Sequence, residues 1–137
     1  MTLSLEDKIE LIELVGRYGD ALDDENWDAL DDIFTADATF AIPALNASMT
    51  GIEDIKKFMD QSGHLHPAAH LMTNVYSQQT ADGVELRSRV ILPRTQTQED
   101  GSATMIHGSY YDTVIKTDAG WRIREREFRT TRRDRPR

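Results

Sequence analysis

Three of the four histidines of the chain lie in one short stretch, HLHPAAHLMTN, which runs from His64 to Asn74. Imidazole is the commonest metal ligand in proteins, and it is also the side chain best suited to proton transfer near neutral pH. The stretch therefore predicts one of three features: a metal site, a catalytic base beside two bystanders, or an imidazole-rich loop.

A metal site would require His64, His66 and His70 to converge on one ion. The chain has no cysteine, so a fourth ligand would have to come from Asp or Glu. Pro67 interrupts the strand pattern that would place His66 and His70 on one face, and the spacing matches no known metal motif. We therefore expect no bound metal and no cofactor, and we interpret His64 and His66 as solvated loop residues.

His70 has two interpretations that the residues alone leave open. If a strand begins near Ala69, alternation places His70, Met72, Asn74 and Tyr76 on one face of it, and one face lines a pocket. His70 is then either a proton-transfer group on a pocket wall or a core histidine that is bonded to a backbone carbonyl.

The elements that would position His70 follow from local patterns. Ser4, followed by Glu6 and Asp7, has the form of a helix cap, and the helix should run to about Asp23. Apolar residues at helical spacing predict its buried stripe, which includes Leu5, Ile9, Ile12, Val15, Tyr18 and Leu22. A second short helix follows around Trp27, then a strand that ends at Pro43, a loop with the sequence NASMTG, and a third helix closed by Gly63.

The second half of the chain alternates in the manner of strands. Four such segments are separated by Ala-Asp-Gly, Glu-Asp-Gly and Asp-Ala-Gly, which are good hairpin turn signals. The pattern predicts an α+β fold with helices packed on one face of a curved antiparallel sheet. We expect a single domain over residues 1–137, with residues 131–137 as a frayed arginine-rich tail and the last strand solvated. Trp121 is expected in the core.

Composition narrows the class of partner. The formal net charge of −8 argues against a nucleic-acid partner. No apolar run is long enough to cross a membrane, and the acidic amino terminus does not resemble a secretory signal, so we expect a cytoplasmic protein.

Four stretches of the sequence resemble the SnoaL-like branch of the NTF2-like superfamily. They are LVGRYGDALDDENWDALDDIFTADATF, TGIEDIKKFM, HLMTN and GSYYDTVIKTDAGWRI, and the resemblance covers about residues 4 to 130. This branch includes scytalone dehydratase, the lindane dehydrochlorinase and the bile acid 7α-dehydratase. The resemblance implies a cone in which a strongly bent sheet and helices enclose a mostly apolar pocket, commonly in homodimers or higher homo-oligomers.

The resemblance also implies site residues. Asp23 and His70 fall on the positions of the family's Asp-His dyad, so Asp23 would orient the imidazole and His70 would move the proton. The predicted substrate-binding residues are Tyr18, Phe40, Met72, Asn74, Arg94, His107 and Tyr110. Arg94 stands near the place of scytalone dehydratase's second catalytic histidine, and Ile42 near that of its tyrosine. Arg129 lies near the position of the dehydrochlorinase's arginine.

The expected function is that of a cofactor-independent lyase (a dehydratase) or isomerase acting on a small hydrophobic molecule. The alternative is a non-catalytic ligand-binding or dimerisation protein with the same fold, because this fold serves many functions.

Overall fold

A computed structural model describes residues 2–62, 67, 69–97 and 103–131, with side chains for all of these except 94–97, 103 and 104. The α-helices are α1 (Leu5–Asp23) and α2 (Ile52–Gln61), and two short 3₁₀ helices span Trp27–Asp32 and Pro43–Leu45. The strands are β1 (Phe34–Ile42), β2 (Ala47–Thr50), β3 (Leu71–Thr80), β4 (Gly83–Thr97), β5 (Ala103–Thr117) and β6 (Gly120–Thr130). The predicted α+β class is confirmed.

Helix α1 begins where the sequence predicted, and the later residues of its predicted stripe face the core whereas the earliest ones do not. Ser4 and Asp7 form a capping box, in which each side chain bonds the other residue's backbone N–H. Asp7 lies on the buried face of the helix and also accepts hydrogen bonds from Lys116 of β5 and Trp121 of β6. The buried stripe is consequently Leu11, Leu14, Val15, Tyr18 and Leu22, while Leu5, Ile9 and Ile12 of the predicted stripe are exposed.

The six strands form one sheet in the order β2-β1-β6-β5-β4-β3. Every neighbouring pair is antiparallel except β1 and β6, which run parallel. The NASMTG segment, predicted as a loop, contains β2, because Asn46 adopts a left-handed conformation (φ 50°) that turns the chain back along β1. The sheet thus contains the four long strands and the strand before Pro43 that the sequence pattern predicted, together with β2.

Strand β3 breaks the alternation that the sequence predicted. Its register with β4 shifts between Thr73 and Tyr76, where Asn74 has a φ of 51°. Such a bulge moves the following residues to the opposite face. Met72 pairs with Val90 and faces inward, whereas Tyr76 pairs with Arg87 and is exposed.

The sheet has an inner face covered by the helices and an outer face turned away from them. On β4 and β5 the buried residues alternate, with Leu86, Val90, Tyr110 and Val114 directed inward. This inner face, α1 and α2 enclose the hydrophobic core, in which Trp121 is buried as expected. Within the described residues, no helix combines the length and the apolar character needed to cross a membrane.

Candidate active site

A cavity of about 300 Å³ opens between the inner face of the sheet, the end of α1 and helix α2. Its walls are mostly apolar, and His70, Ser62, Thr130 and the two tyrosines supply the polar groups. The lining residues are Tyr18, Leu22, Phe40, Ile42, Ala44, Leu45, Phe58, Met59, Ser62, Pro67, His70, Leu92, Ile106, Tyr110, Phe128 and Thr130. An apolar cavity with a few converging polar groups is the usual form of a small-molecule site.

Asp23 and His70 are hydrogen bonded at the wall of this cavity. The Nδ1 atom of His70 lies 2.7 Å from Oδ1 of Asp23, and the backbone N–H of His70 donates to both carboxylate oxygens at 3.0 Å. The side chain of His70 is 7% exposed and that of Asp23 is 26% exposed. A carboxylate only accepts hydrogen bonds, so Nδ1 carries a proton and Nε2 is the ring nitrogen that can take up another.

Two elements bring this pair together. Asp23 is the last residue of α1, and His70 directly precedes β3. Gly19, one turn before Asp23, permits the close approach, because a Cβ there would lie 3.2 Å from the backbone oxygen of His70 and 3.2 Å from Cγ of Met72. The missing side chain at residue 19 therefore helps to set the distance between the helix end and the histidine.

Tyr18 and Tyr110 form the wall beside His70. The Tyr18 ring lies edge-on to His70, with ring centroids 6.2 Å apart, and edge-on to Tyr110 at 5.5 Å. Burial raises the pKa of Tyr18, and burial raises the pKa of Tyr110 well above its ordinary value. Both hydroxyls are consequently protonated at neutral pH and can donate hydrogen bonds.

Arg126 lies against both tyrosine rings. Its Cζ atom is 4.1 Å from the Tyr18 ring centroid and 4.0 Å from that of Tyr110. Its Nε and Nη2 atoms donate to the two carboxylate oxygens of Asp112, each at 2.8 Å, and both side chains are fully buried. Its Nη1 atom has no hydrogen-bond partner among the residues described.

The charge of Arg126 is stable in this environment. Burial opposes the charge, but the carboxylate of Asp112 outweighs burial and raises the pKa of the guanidinium above its ordinary value. A permanent cation in a medium of low dielectric acts strongly on nearby charge. Negative charge that develops at the tyrosine hydroxyls or on a molecule beside them would be stabilised.

Only some of the predicted substrate-binding residues line the cavity. Tyr18, Phe40 and Tyr110 do so. Met72 packs against the core near Gly19, and Asn74 is exposed at the β3 bulge, because the register shift there ended the predicted alternation.

His107 was also predicted to bind substrate, and the structure places it away from the cavity. It lies on β5 opposite Ile91 of β4, and it is one residue from Ile106, which lines the cavity. Alternation along the strand puts His107 on the outer face. The side chain of Arg94 and the whole of His64, His66 and residues 132–137 lie outside the described residues.

The sequence analysis missed Phe58, Phe128 and above all Arg126. Arg126 lies in an arginine-rich stretch that was interpreted as solvated, and only the extra residue in the register of β6 against β5 turns it inward. Arg129, which lies near the position of the dehydrochlorinase's arginine, pairs with Glu127 and lies over the ring of Tyr111 on the outer face. The sequence signal for the burial of Arg126 was the presence of aromatic residues in nearby segments, because an arginine that points inward can stack against aromatic rings.

No group of three potential metal ligands converges in the part of the chain that the structure describes. Because two of the three clustered histidines fall outside that part, the metal interpretation of the HLHPAAH segment is tested only at His70. The His70 ring bonds the carboxylate of Asp23, an arrangement typical of a proton-transfer pair.

Comparison with known proteins agrees with this architecture. An uncharacterised protein of Mycobacterium tuberculosis is 30% identical over 122 residues, which cover 87% of this chain and 82% of that protein. An NTF2-like protein with a cystatin-like fold from Novosphingobium aromaticivorans is 25% identical, with a TM-score of 0.79 over 93% of this chain and 84% of that one. A hexachlorocyclohexane dehydrochlorinase, LinA-type3, from Novosphingobium barchaimii shares the fold at 15% identity, with a TM-score of 0.75 over 90% and 85% of the two chains.

The family match covers most of the domain. The sequence model of the SnoaL-like domain matches residues 3–127, from just before α1 to the middle of β6. The chain therefore belongs to the SnoaL-like domain family.

Proposed function

We propose that the protein is a cofactor-independent lyase or isomerase that removes a proton from a small, largely apolar substrate in this cavity. The observation that carries the proposal is the 2.7 Å hydrogen bond between His70 Nδ1 and Asp23 Oδ1 on the cavity wall. The bond fixes the tautomer of the ring and would stabilise the imidazolium that forms when Nε2 accepts a proton.

The proton would come from a carbon next to an electron-withdrawing group. His70 Nε2 takes the proton, and the electron pair of the broken C–H bond moves to the neighbouring carbonyl oxygen or expels a leaving group from the adjacent carbon. In the first case the imidazolium returns the proton at another carbon, and the reaction is an isomerisation. In the second case a double bond remains and the reaction is an elimination.

Tyr18 and Tyr110 would stabilise the negative charge of this step. Their raised pKa values keep the hydroxyls protonated, so that they can donate to a developing oxyanion or to the leaving group. The cation of Arg126, stacked behind both rings, would strengthen that stabilisation. One of the proteins with this fold is a dehydrochlorinase, which agrees with a lyase.

The other candidate function is binding without turnover. The apolar cavity favours it equally, because a hydrophobic ligand could occupy the same walls without any reaction. A dyad beside an apolar cavity is what distinguishes the catalytic proposal, so the two functions must be separated by measuring proton transfer itself.

The test is deuterium incorporation into 2-tetralone, a bicyclic ketone with acidic protons beside its carbonyl. The protein is incubated with the ketone in D₂O, and loss of the α-proton signal is followed by NMR. We expect exchange well above that in buffer. Binding of 2-tetralone with exchange no faster than in buffer would contradict the catalytic proposal and support the binding protein.

A further inference from the structure

One edge of the Phe128 ring, at Cε2 and Cζ, lies against Gly108. In the register of β5 and β6, Phe128 is opposite Tyr110 and Gly108 is opposite Thr130. The ring leans along the sheet, so that a Cβ atom on residue 108 would overlap its Cε2 and Cζ atoms. The space that a side chain at residue 108 would fill is thus occupied by the ring of Phe128.

This ring is part of the cavity wall. Phe128 and Tyr110 both line the cavity, and their ring centroids are 5.2 Å apart with an interplanar angle of 47°. Gly108 is buried beneath the ring and is not itself a lining residue. The lack of a side chain at residue 108 therefore sets how far the sheet-side wall recedes from the rest of the cavity.

A wall of this kind favours flat molecules. The cavity is lined by four aromatic side chains besides Tyr18, namely Phe40, Phe58, Tyr110 and Phe128. Aromatic faces bind unsaturated rings in offset or edge-on contact, and a puckered saturated ring makes fewer such contacts. A Cβ at residue 108 would lift the Phe128 ring off the sheet and into the cavity, because the backbone oxygen of Arg129, 3.1 Å from that Cβ, leaves no room beneath it.

We propose that Gly108 and Phe128 together determine specificity, and that they fit the cavity to a flat, ring-containing substrate. The inference rests on the proposed function of the cavity, but it concerns binding and can be tested without turnover. Gly108 touches no substrate in this arrangement and acts as a positioning residue for the ring of Phe128.

The test compares two probes by isothermal titration: 2-naphthol, which is flat, and decahydro-2-naphthol, which has the same skeleton with puckered rings. The wild-type protein should bind 2-naphthol more tightly by about three- to tenfold, the effect of one aromatic contact. Gly108→Ala should weaken 2-naphthol binding by roughly tenfold, as expected for one methyl group forced into a packed site.

Gly16→Ala is the matched control. A Cβ at residue 16 meets nothing within 4 Å, and this exposed residue does not line the cavity, so the variant should bind both probes as the wild type does. Phe128→Leu should abolish the preference for 2-naphthol. In the F128L background, Gly108→Ala should cost nothing further, because the ring with which the Cβ overlaps is gone.

Two outcomes would overturn the inference. One is a folded Gly108→Ala variant with the wild-type affinity for 2-naphthol. The other is a Phe128→Leu variant that keeps the preference for the flat probe, and it decides the matter even where Gly108→Ala does not fold. Neither result bears on whether the protein catalyses exchange into 2-tetralone. Selective binding of the flat probe without any exchange would contradict the proposed function and still support this inference.

Discussion

Asp23 is held against His70 by more than a side-chain contact. Its two carboxylate oxygens accept the backbone N–H of His70 as well as the ring Nδ1–H, so one residue fixes both the position and the tautomer of the histidine. At this scale the proposed chemistry depends on the negative charge of the carboxylate, which would stabilise the imidazolium.

Asp23→Asn tests that dependence. The amide keeps the shape of the side chain but loses its charge, so we expect deuterium exchange into 2-tetralone to fall by roughly 10²-fold or more, within the range that general-base catalysis supplies. The affinity for 2-naphthol should stay at the wild-type value, since Asp23 does not line the cavity. Exchange at the wild-type rate would show that the carboxylate has no part in the proton transfer.

Gly19→Ala tests how closely the dyad is positioned. An added Cβ would crowd the backbone oxygen of His70 and the side chain of Met72, each at 3.2 Å, and should displace the histidine and lower the exchange rate. On the same helix, Gly16→Ala meets no neighbour and should gain about 0.5–1 kcal/mol of stability from helix propensity alone.

The comparison is made by urea unfolding and by the exchange assay on both variants. If Gly19→Ala gained the same stability as Gly16→Ala and kept the full exchange rate, the close approach at residue 19 would have no functional importance.

Among the elements, α1 is joined to the β5–β6 turn end of the sheet through two carboxylates, those of Asp7 and Glu10, and Asp7 makes the larger number of bonds. Asp7 accepts from the Nζ atom of Lys116 at 2.8 Å and from the Nε1 atom of Trp121 at 2.9 Å, in addition to its cap with Ser4. The hydrogen bond from Lys116, followed by those from Ser4 and Trp121, holds the pKa of Asp7 well below its ordinary value.

Because the pKa of Asp7 is lowered in the folded state, the free energy of unfolding depends on pH in the acid range. The contribution of Asp7 is fully present above the unfolded pKa, about 3.9 for an aspartate, and is lost as the pH falls from there towards the folded pKa. Asp7→Asn should therefore be less stable than the wild type at pH 7, and the difference between them should shrink as the pH falls below about 4. Urea unfolding at several pH values measures this difference, and a constant gap would contradict the assignment.

The sequence predicted these elements in the right order because capping residues, helical periodicity and hairpin turns are local signals. It did not predict the exposed face of Leu5, Ile9 and Ile12, because that face depends on where distant Lys116 and Trp121 bond Asp7. The bulge at Asn74 and the extra residue of β6 are likewise set by pairing between strands.

The candidate site was likewise predicted where local signals or the family resemblance sufficed, and not where pairing between strands decides the outcome. Asp23, His70, Tyr18, Phe40 and Tyr110 were named from the sequence, the dyad through resemblance to a family. Asn74 was assigned to the cavity by simple alternation, which the β3 bulge interrupts, and His107 lies on the outer face of β5. Met72 faces inward as alternation predicted, but it packs against the core and is not a lining residue. Arg126 was missed because nothing in an arginine-rich segment indicates which arginine is buried. Its burial becomes evident only when its aromatic neighbours in the fold are known.

At the scale of the whole molecule, the outer face of the sheet carries exposed apolar side chains. Leu71, Tyr76 and Met105 are 54%, 57% and 53% exposed. Glu85, Arg87 and Arg89 stand at successive outward positions along β4, and Arg87 pairs with Glu85 at 2.9 Å within the chain. The sequence prediction of a homo-oligomer is therefore best tested at this face.

Light scattering on the full chain should give a mass of at least twice the 15.6 kDa of one chain. Replacing Tyr76 and Met105 by lysine should shift the protein towards one copy, since both substitutions place charge within the apolar patch. A monomeric wild-type protein at micromolar concentration would contradict the prediction.

The most direct test of the account is the rate of deuterium exchange into 2-tetralone for the wild type and for His70→Ala, with 2-naphthol binding measured on both. If His70 is the base, the variant should still bind 2-naphthol and should lose exchange by about 10²- to 10⁴-fold. A folded His70→Ala variant that exchanges 2-tetralone as fast as the wild type would refute the proposed mechanism.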